Sequence, residues 1–414
     1  MSRSAGLQAD GQLDCADIVA VEAPPPPPYS PLDPCDGGLG GGESEPVLPT
    51  GLVVAADTER TLATQLLLPD GMLAVVLEGF ASVAATVRVA DADGLLGVAA
   101  AFYRDSSGGP AVAASSTVDE KTGRRTVRFA PDEPHTGGGV RAECSITLPE
   151  SAALGELALR LPAGSQLDIE SVARAMVRRL DVAMISGAAR LTQVCAGSMR
   201  VAVGDGSIDA TGMVAAEAAE FIACSGSVQV RGCSAKAIRA NTPGARLGMS
   251  ELLAEALSIS GRQADIAVSA SAADSVAVNT CAGAVTLDGV SAGSLDVRTD
   301  TAPVRGSWSI GRRATIAVGA AMVQGRMAVA SDEVHAAISA SGWPVQLSVS
   351  DSFRGAFDVS AAGSIANVGF AGATTHERRP HRVQGVVGTG PSSLRITNAQ
   401  APVAVTTFPP ASAI

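Results

Sequence analysis

The feature that most constrains this chain is a short apolar phrase that returns every nine or ten residues. In each phrase two apolar residues bracket one small or polar residue, as in Ile266/Val268. Apolar residues two apart share one face of a strand, whereas a helix would space them three and four apart. The phrase therefore predicts a series of short strands, whose first members are Val228, Ile238, Leu247, Leu257, Ile266, Val276, Val285, Leu295 and Val304.

Two all-β folds have strands at such intervals. In a β-sandwich strands also follow one another every 8–12 residues, roughly, but here each strand has only two inward positions. Aromatic residues make up 3 % of the chain, which suits a thin core. We therefore predict an all-β fold of the β-solenoid type, a β-helix-like stack of short strands with about 19 residues and two strands per turn. The spacing of the apolar pairs is less regular over 306–345. The first residues of the later predicted pairs are Ile316, Met327, Ile338, Leu347 and Phe357.

Changes in composition divide the chain into four segments. Residues 1–50 hold nine of the 23 prolines, with eight acids and one base, which predicts a disordered acidic tail. Residues 51–143 alternate apolar runs with polar loops, which predicts antiparallel strands that cap the solenoid. The solenoid itself is expected over 144–408, followed by a short C-terminal tail over 409–414.

Two details of this division stay open at the level of sequence. The stretch "DIESVARAMVRRLDVAM" is compatible with a helix capped by Ser171 or with two short strands, and its neighbours favour strands. The ends of a solenoid must be covered. We expect residues 51–143 to cover one end and the Val403–Phe408 segment to cover the other.

The tail contains a proline-rich motif, "PPPPPYSP". Consecutive prolines favour the polyproline II conformation. Pro26, Pro27, Pro28 and Tyr29 match the P-P-x-Y pattern that WW domains bind, which makes these four residues a candidate partner-binding site. The alternative is a stiff spacer that contains a tyrosine by chance.

Charge and cysteine content argue against several classes of partner. The net charge is −11 and no long basic stripe occurs, so we expect no nucleic-acid binding. Seven cysteines without a C-x-x-C motif predict reduced, mostly buried thiols in an intracellular protein. Neither a signal peptide nor an apolar run of membrane-spanning length is present, so we expect a cytoplasmic protein without a membrane span.

Three groups of residues are candidate chemical sites. Asp296, Arg298 and Asp300 share one strand face and resemble the paired carboxylates of a glycosidase, with Trp308 and Trp343 as the available sugar-binding aromatics. The alternative, a solvated strand face without a chemical function, is favoured.

The residue patterns of the other two groups also match no specific catalytic or metal-binding motif. "HERRPHR", from His376 to Arg382, is a candidate metal, phosphate or acidic-partner site, and we expect it to be a solvated loop. Cys224 and Cys281 are expected at equivalent corners of the stack. Since no catalytic motif or cofactor-binding motif occurs, we predict a protein that is not an enzyme and that needs no cofactor or metal.

A family resemblance supports the same fold. "CSGSVQVRG", "CAGAVTLDGVSAGSLDVRTDTAPVRG" and "GTGPSSLRITNAQAPVAVTTF" resemble the repeats of the "putative-adhesin" family of β-helical domains of unknown function. The repeat region together with the proline-rich tail resembles uncharacterised fungal members, especially those of basidiomycetes. The resemblance covers about residues 144–408, implies the β-helical fold and supplies no catalytic residues.

The function that these observations favour is a non-enzymatic, adhesin-like interaction scaffold whose tail binds a WW-domain protein. The alternative from another class is a carbohydrate-active β-helix enzyme, a polysaccharide hydrolase or lyase. A third possibility is a surface adhesin exported by an unconventional route.

Overall fold

The computed structural model describes residues 59–409, apart from 67–71, 91–95, 104–111, 120, 122–123, 132–139, 150–152, 173–175 and 363–364. Every regular element among these residues is a strand, and the strands join one 26-stranded sheet, so the all-β prediction is confirmed. The predicted tail, with Pro26, Pro27, Pro28 and Tyr29, lies outside the described residues, as does the C-terminal tail apart from Pro409.

The strands are numbered in chain order. The first nine are β1 (Glu59–Leu66), β2 (Met72–Leu77), β3 (Ser82–Ala90), β4 (Leu96–Tyr103), β5 (Val112–Val118), β6 (Arg124–Pro131), β7 (Arg141–Pro149), β8 (Ala153–Leu161) and β9 (Ser165–Glu170). The next nine are β10 (Met176–Thr192), β11 (Cys195–Thr242), β12 (Arg246–Ser250), β13 (Leu253–Gln263), β14 (Ile266–Ser269), β15 (Ala272–Ala282), β16 (Val285–Thr299), β17 (Val304–Val318) and β18 (Val323–Val329). The last eight are β19 (His335–Ala340), β20 (Val345–Ser350), β21 (Gly355–Ala361), β22 (Ile365–Val368), β23 (Ala373–Arg379), β24 (Arg382–Val387), β25 (Ser392–Asn398) and β26 (Val403–Phe408).

The central strands stack in parallel as two columns. In the first column each partner lies 19 residues further along the chain, in the order Val228, Leu247, Ile266, Val285 and Val304. The second column joins Ile238, Leu257, Val276 and Leu295 in the same way. All nine side chains are at most 2 % exposed. The predicted inward positions are therefore confirmed from Val228 to Val304, and each layer of the stack contains one strand of each column.

The predicted register fails where Trp308 enters the core. Two register shifts in the β16–β17 pairing, between Asp288 and Val290 and between Ala292 and Ser294, flank the layer in which Trp308 pairs with Val290. Four predicted first members are therefore wrong, namely Ile316, Met327, Ile338 and Leu347. Their places are taken by Ala314, Val323, Ala336 and Val345. The displaced residues remain buried, so the apolar pattern was right and only its alignment to the layers was not.

In seven successive layers, from β9 to β16, one corner is formed by left-handed backbone. Seven residues that each follow a first-column pair have φ between 45° and 68°: Ser171, Gln193, Gly212, Gly232, Glu251, Ala270 and Gly289. The left-handed region suits a tight corner and costs an L-residue other than glycine about 1–2 kcal/mol. Ser171, considered above as a helix cap, is one of these corners and follows β9, so the prediction of strands on both sides of it is confirmed.

At both ends the order of the layers differs from the order of the chain. The layer of β25 and β26 lies between the layer of β19 and β20 and the layer of β21 and β22. At the other end, β2 and β3 lie between β6 and β7 on one side and β8 and β9 on the other. The prediction that Val403–Phe408 covers an end is therefore wrong, because that strand has a parallel partner on each side.

The region before residue 144 mixes two kinds of pairing. β1, β4 and β5 pair antiparallel with their neighbours, as predicted for residues 51–143. In contrast, β2, β3, β6 and β7 form parallel pairs that continue the stack. Only part of this region therefore has the expected antiparallel character, and β7 runs across residue 144.

Candidate binding surface

A groove of about 450 Å³ lies on the outer face of the first column, where β17, β18, β20 and β26 are neighbours. One row of its lining runs across the four strands as Arg305, Gln324, Gln346 and Ala404. The next row contains Arg326, Ser348 and Thr406. Side chains alternate between the two faces of a strand, so residues that follow the inward valines of these strands point out into the groove.

The floor of the groove depends on two glycines. Gly306 and Gly325 occupy inward positions and line the groove from below. A Cβ atom at Gly325 would overlap the Trp308 ring, so this glycine leaves the space that the indole fills. Trp308 is 2 % exposed, and its Nε1 atom has no hydrogen-bond partner among the described residues.

The charge of the groove is positive. Its lining contains two arginines and neither aspartate nor glutamate. Within the described part of the chain neither arginine forms an ion pair, and the nearby Asp288 accepts a hydrogen bond from Ser307 (2.5 Å). An arginine side chain is charged at every pH of interest and presents planar N–H donors suited to a carboxylate. The groove is therefore suited to an anionic group.

One of the arginines is held by an aromatic ring. The guanidinium of Arg326 lies over the Phe408 ring, with 4.7 Å between its central carbon and the ring centroid. Stacking uses the face of a guanidinium and leaves the N–H groups at its edge available. In the same row as Arg326, the hydroxyls of Ser348 and Thr406 are hydrogen-bonded at 3.0 Å. Phe408 is the last residue of β26, so the groove takes this form only with β26 in place beside β20.

The strand face with Asp296, Arg298 and Asp300 is an ion-paired surface. Arg298 donates to both carboxylate oxygens of Asp296, at 3.3 Å and 3.0 Å. Both side chains are well exposed, and such pairs contribute little to stability. Asp300 instead acts on Cys281: partial burial and then the Asp300 carboxylate raise the pKa of that thiol.

Trp308 and Trp343, the candidate sugar-binding aromatics, do not share one surface. The Trp308 ring is inside the core, whereas Trp343 is 59 % exposed. No observation at the Asp296 face or at Trp308 favours carbohydrate chemistry, so we propose no second function there.

"HERRPHR" is largely exposed to solvent, as predicted, but most of it is strand and not loop. Its residues form the end of β23, the turn at Pro380 and His381, and the start of β24, which pairs antiparallel with β23 and with β21. Arg382 binds both carboxylate oxygens of Asp358, at 3.0 Å and 2.9 Å, and this hydrogen bonding holds the pKa of Asp358 below its ordinary value of 3.8. Glu377 pairs with Arg379 at 2.6 Å. Among the described residues no group of three or more histidine, cysteine, aspartate or glutamate side chains is arranged to hold a metal ion.

The cysteines follow the geometry of the stack. Cys224 and Cys281 each lie four residues before a first-column residue, Val228 and Val285, so the prediction that they occupy equivalent corners is confirmed. Burial raises the pKa of the Cys144 and Cys233 thiols to about 12. Cys281 is exposed, so the predicted burial holds for only part of the set.

The groove was not predicted from the sequence. Arg305, Gln324, Arg326 and Gln346 lie in or beside the looser stretch 306–345, where the predicted register is wrong. A signal did exist: Arg305 and Gln346 each directly follow an inward valine, Val304 and Val345. Correct alignment of the layers would have placed both side chains in one outward row.

Comparisons with known proteins find only distant similarity. No family model matches the chain, and no curated protein is significantly similar to it in sequence. A solved structure described as a "putative cell adhesion protein" from Clostridium sporogenes is 10 % identical, covers 84 % of this chain and 100 % of its own, and has a TM-score of 0.16. Another, described as a "putative adhesin" from Bacteroides fragilis, is 10 % identical, covers 66 % of this chain and 97 % of its own, and has a TM-score of 0.25.

The architecture of this chain therefore rests on its own strand register and not on these similarities. In the described part of the chain no helix has the length and apolar character to cross a bilayer.

Proposed function

We propose that the protein is a non-enzymatic β-solenoid that acts as an interaction scaffold. The parallel register supports the solenoid, because successive layers repeat the same two columns after 19 residues. Such a stack contains a continuous apolar interior and presents extended outer strand faces to partners. The fungal, adhesin-like resemblance of the repeats belongs to the same proposal.

The groove is the surface that we propose for partner binding. The observation that carries this proposal is the presence of Arg305 and Arg326 in one groove without a carboxylate partner in the described structure. Hydrogen bonds between charged groups contribute more than neutral ones, about 1.5–3 kcal/mol each. A partner with closely spaced carboxylates along an extended chain would use both arginines.

The test of this proposal uses the full chain and a polyglutamate peptide in biolayer interferometry. We expect salt-sensitive binding that becomes at least tenfold weaker in Arg305→Gln/Arg326→Gln. The matched control is Arg231→Gln/Arg246→Gln, which removes the same charge from exposed positions elsewhere on the first column. Equal binding by the two double variants would contradict the groove as a binding surface.

The tail supplies the second proposed contact. Pro26, Pro27, Pro28 and Tyr29 would occupy the aromatic groove of a WW domain, as P-P-x-Y segments do. A pull-down with a purified WW domain should recover the full chain and lose it with Tyr29→Ala. Pro24→Ala, a change outside the motif, is the control, and equal recovery of the Tyr29→Ala chain would remove this part of the proposal.

A further inference from the structure

Opposite charges are concentrated at opposite ends of the sequence. Residues 1–50 contain eight acids and one base, whereas residues 301–408 contain nine arginines and five acids. The two arginines of the groove belong to the basic part. An acidic segment of the same chain therefore has a complementary surface on the stack itself.

The spacing of the groove arginines suits an extended acidic chain. Arg305 pairs with Gln324, and Arg326 lies two residues further along that neighbouring strand. Adjacent strands are about 4.8 Å apart and residues rise about 3.3 Å along a strand, which separates the two arginine Cα atoms by roughly 8 Å. Carboxylates two or three residues apart on an extended chain have a similar separation, about 7–10 Å. The amides of Gln324 and Gln346 are available beside them for hydrogen bonds to backbone groups.

Chain length decides which acids can reach the groove within one molecule. Twelve strand-to-strand steps lead from β1 to β18, a distance of about 58 Å. Glu45 is 14 residues from Glu59, where β1 begins, and an extended chain of that length spans at most about 50 Å. Asp36 and all earlier acids are far enough along the chain to reach.

We propose that the groove binds the acidic segment 10–36 of its own chain. This segment holds six acids: Asp10, Asp14, Asp17, Glu22, Asp33 and Asp36. They lie on both sides of Pro26–Tyr29, so a docked segment would keep the proline-rich motif against the stack and compete with its binding to a WW domain. The inference rests on the proposed function of the groove as a binding surface.

The test measures self-competition with a fluorescein-labelled peptide of residues 10–36. The tail-neutralised chain is the full chain with Asp10→Asn, Asp14→Asn, Asp17→Asn, Glu22→Gln, Asp33→Asn and Asp36→Asn. By fluorescence anisotropy we expect the peptide to bind this chain at least threefold more tightly than the wild type, because a tethered segment competes at a high effective concentration. Adding Arg305→Gln/Arg326→Gln to the tail-neutralised chain should weaken binding at least tenfold, and adding Arg231→Gln/Arg246→Gln should leave it unchanged.

Three results would overturn the inference. Equal peptide affinity of the wild-type and tail-neutralised chains would show that the segment does not occupy the groove, while groove-dependent polyglutamate binding would leave the proposed function standing. Equal affinity of the two arginine double variants would show that the peptide binds elsewhere. Self-competition that disappears when the wild-type chain is diluted would assign the contact to a second copy instead of the same molecule.

Discussion

The guanidinium carbon of Arg326 lies 4.7 Å from the centre of the Phe408 ring, which connects β18 to β26 across β20. The two residues are more than eighty positions apart in the sequence and approach only because the last strand joins the stack beside β20. One of the two groove arginines is thus oriented by the residue that ends the final strand. This contact, the local backbone geometry of the stack and the Asp358–Arg382 ion pair lead to four predictions.

Replacing Phe408 with alanine should weaken polyglutamate binding at the groove about two- to fivefold. The reason is the loss of a cation–π contact worth about 0.5–1 kcal/mol, which leaves Arg326 free to adopt other rotamers. Phe408→Trp keeps an aromatic face and should bind as the wild type does. The measurement is biolayer interferometry on both variants, and indistinguishable affinities would show that the ring does not orient the arginine.

Replacing Gly206 with alanine should destabilise the protein far more than the same change at Gly212. Both glycines have positive φ, 145° and 68°. A Cβ atom at Gly206 would overlap the carbonyl oxygen of Gly187 in the next layer, whereas one at Gly212 meets its nearest neighbour at 3.6 Å. We expect a loss of about 3 kcal/mol or more for Gly206→Ala and about 1–2 kcal/mol for Gly212→Ala, measured by urea unfolding. Similar losses of stability for the two variants would argue against the close approach of Gly206 to Gly187.

Replacing Ala270 with glycine should stabilise the protein slightly. Ala270 has φ of 45°, in the left-handed region that an L-residue adopts at a cost in free energy. Glycine removes this cost but loses more conformational entropy on folding, so we expect a net gain in stability of about 0.5–1 kcal/mol. Ala277 is an exposed residue inside β15, where glycine should instead destabilise by about 0.5–1 kcal/mol. Thermal unfolding midpoints that move in opposite directions would agree with this account, and a lower midpoint for both variants would not.

The Asp358–Arg382 pair should give stability that depends on acid pH. Because the folded-state pKa of Asp358 is lowered below 3.8, the pair stabilises the fold above that value, and the stabilisation is lost as pH falls through the lowered pKa. In Arg382→Gln the carboxyl should titrate nearer its ordinary value, and the loss of stability below about pH 4 should be smaller than in the wild type. NMR titration of the Asp358 carboxyl in both chains is the direct measurement, with Arg378→Gln as a control on the neighbouring strand. An unchanged midpoint would remove Arg382 as the cause.

The regular part of the stack was predicted correctly from the sequence. Between Val228 and Val304 each layer has the same length, so a local pattern of apolar pairs is enough to align the layers without knowledge of distant contacts. The predicted alignment of the apolar pairs to the layers failed beyond Trp308. The register of the β16–β17 pairing shifts there at two places, and such shifts cannot be read from an apolar pattern. The groove was missed for the same reason, since its rows exist only in the shifted register.

The amino-acid sequence by itself determined that the chain forms short strands, which residues face inward and how far apart the layers of the central stack lie along the chain. These follow from the two-residue alternation of strands and from a constant repeat length, both of which are local properties. The tertiary structure alone decided that β25 and β26 enter between earlier layers and that Phe408 reaches Arg326. An apolar pair is equally well buried by any neighbouring layer, so the order of the layers depends on which edges remain unpaired once the whole chain has folded.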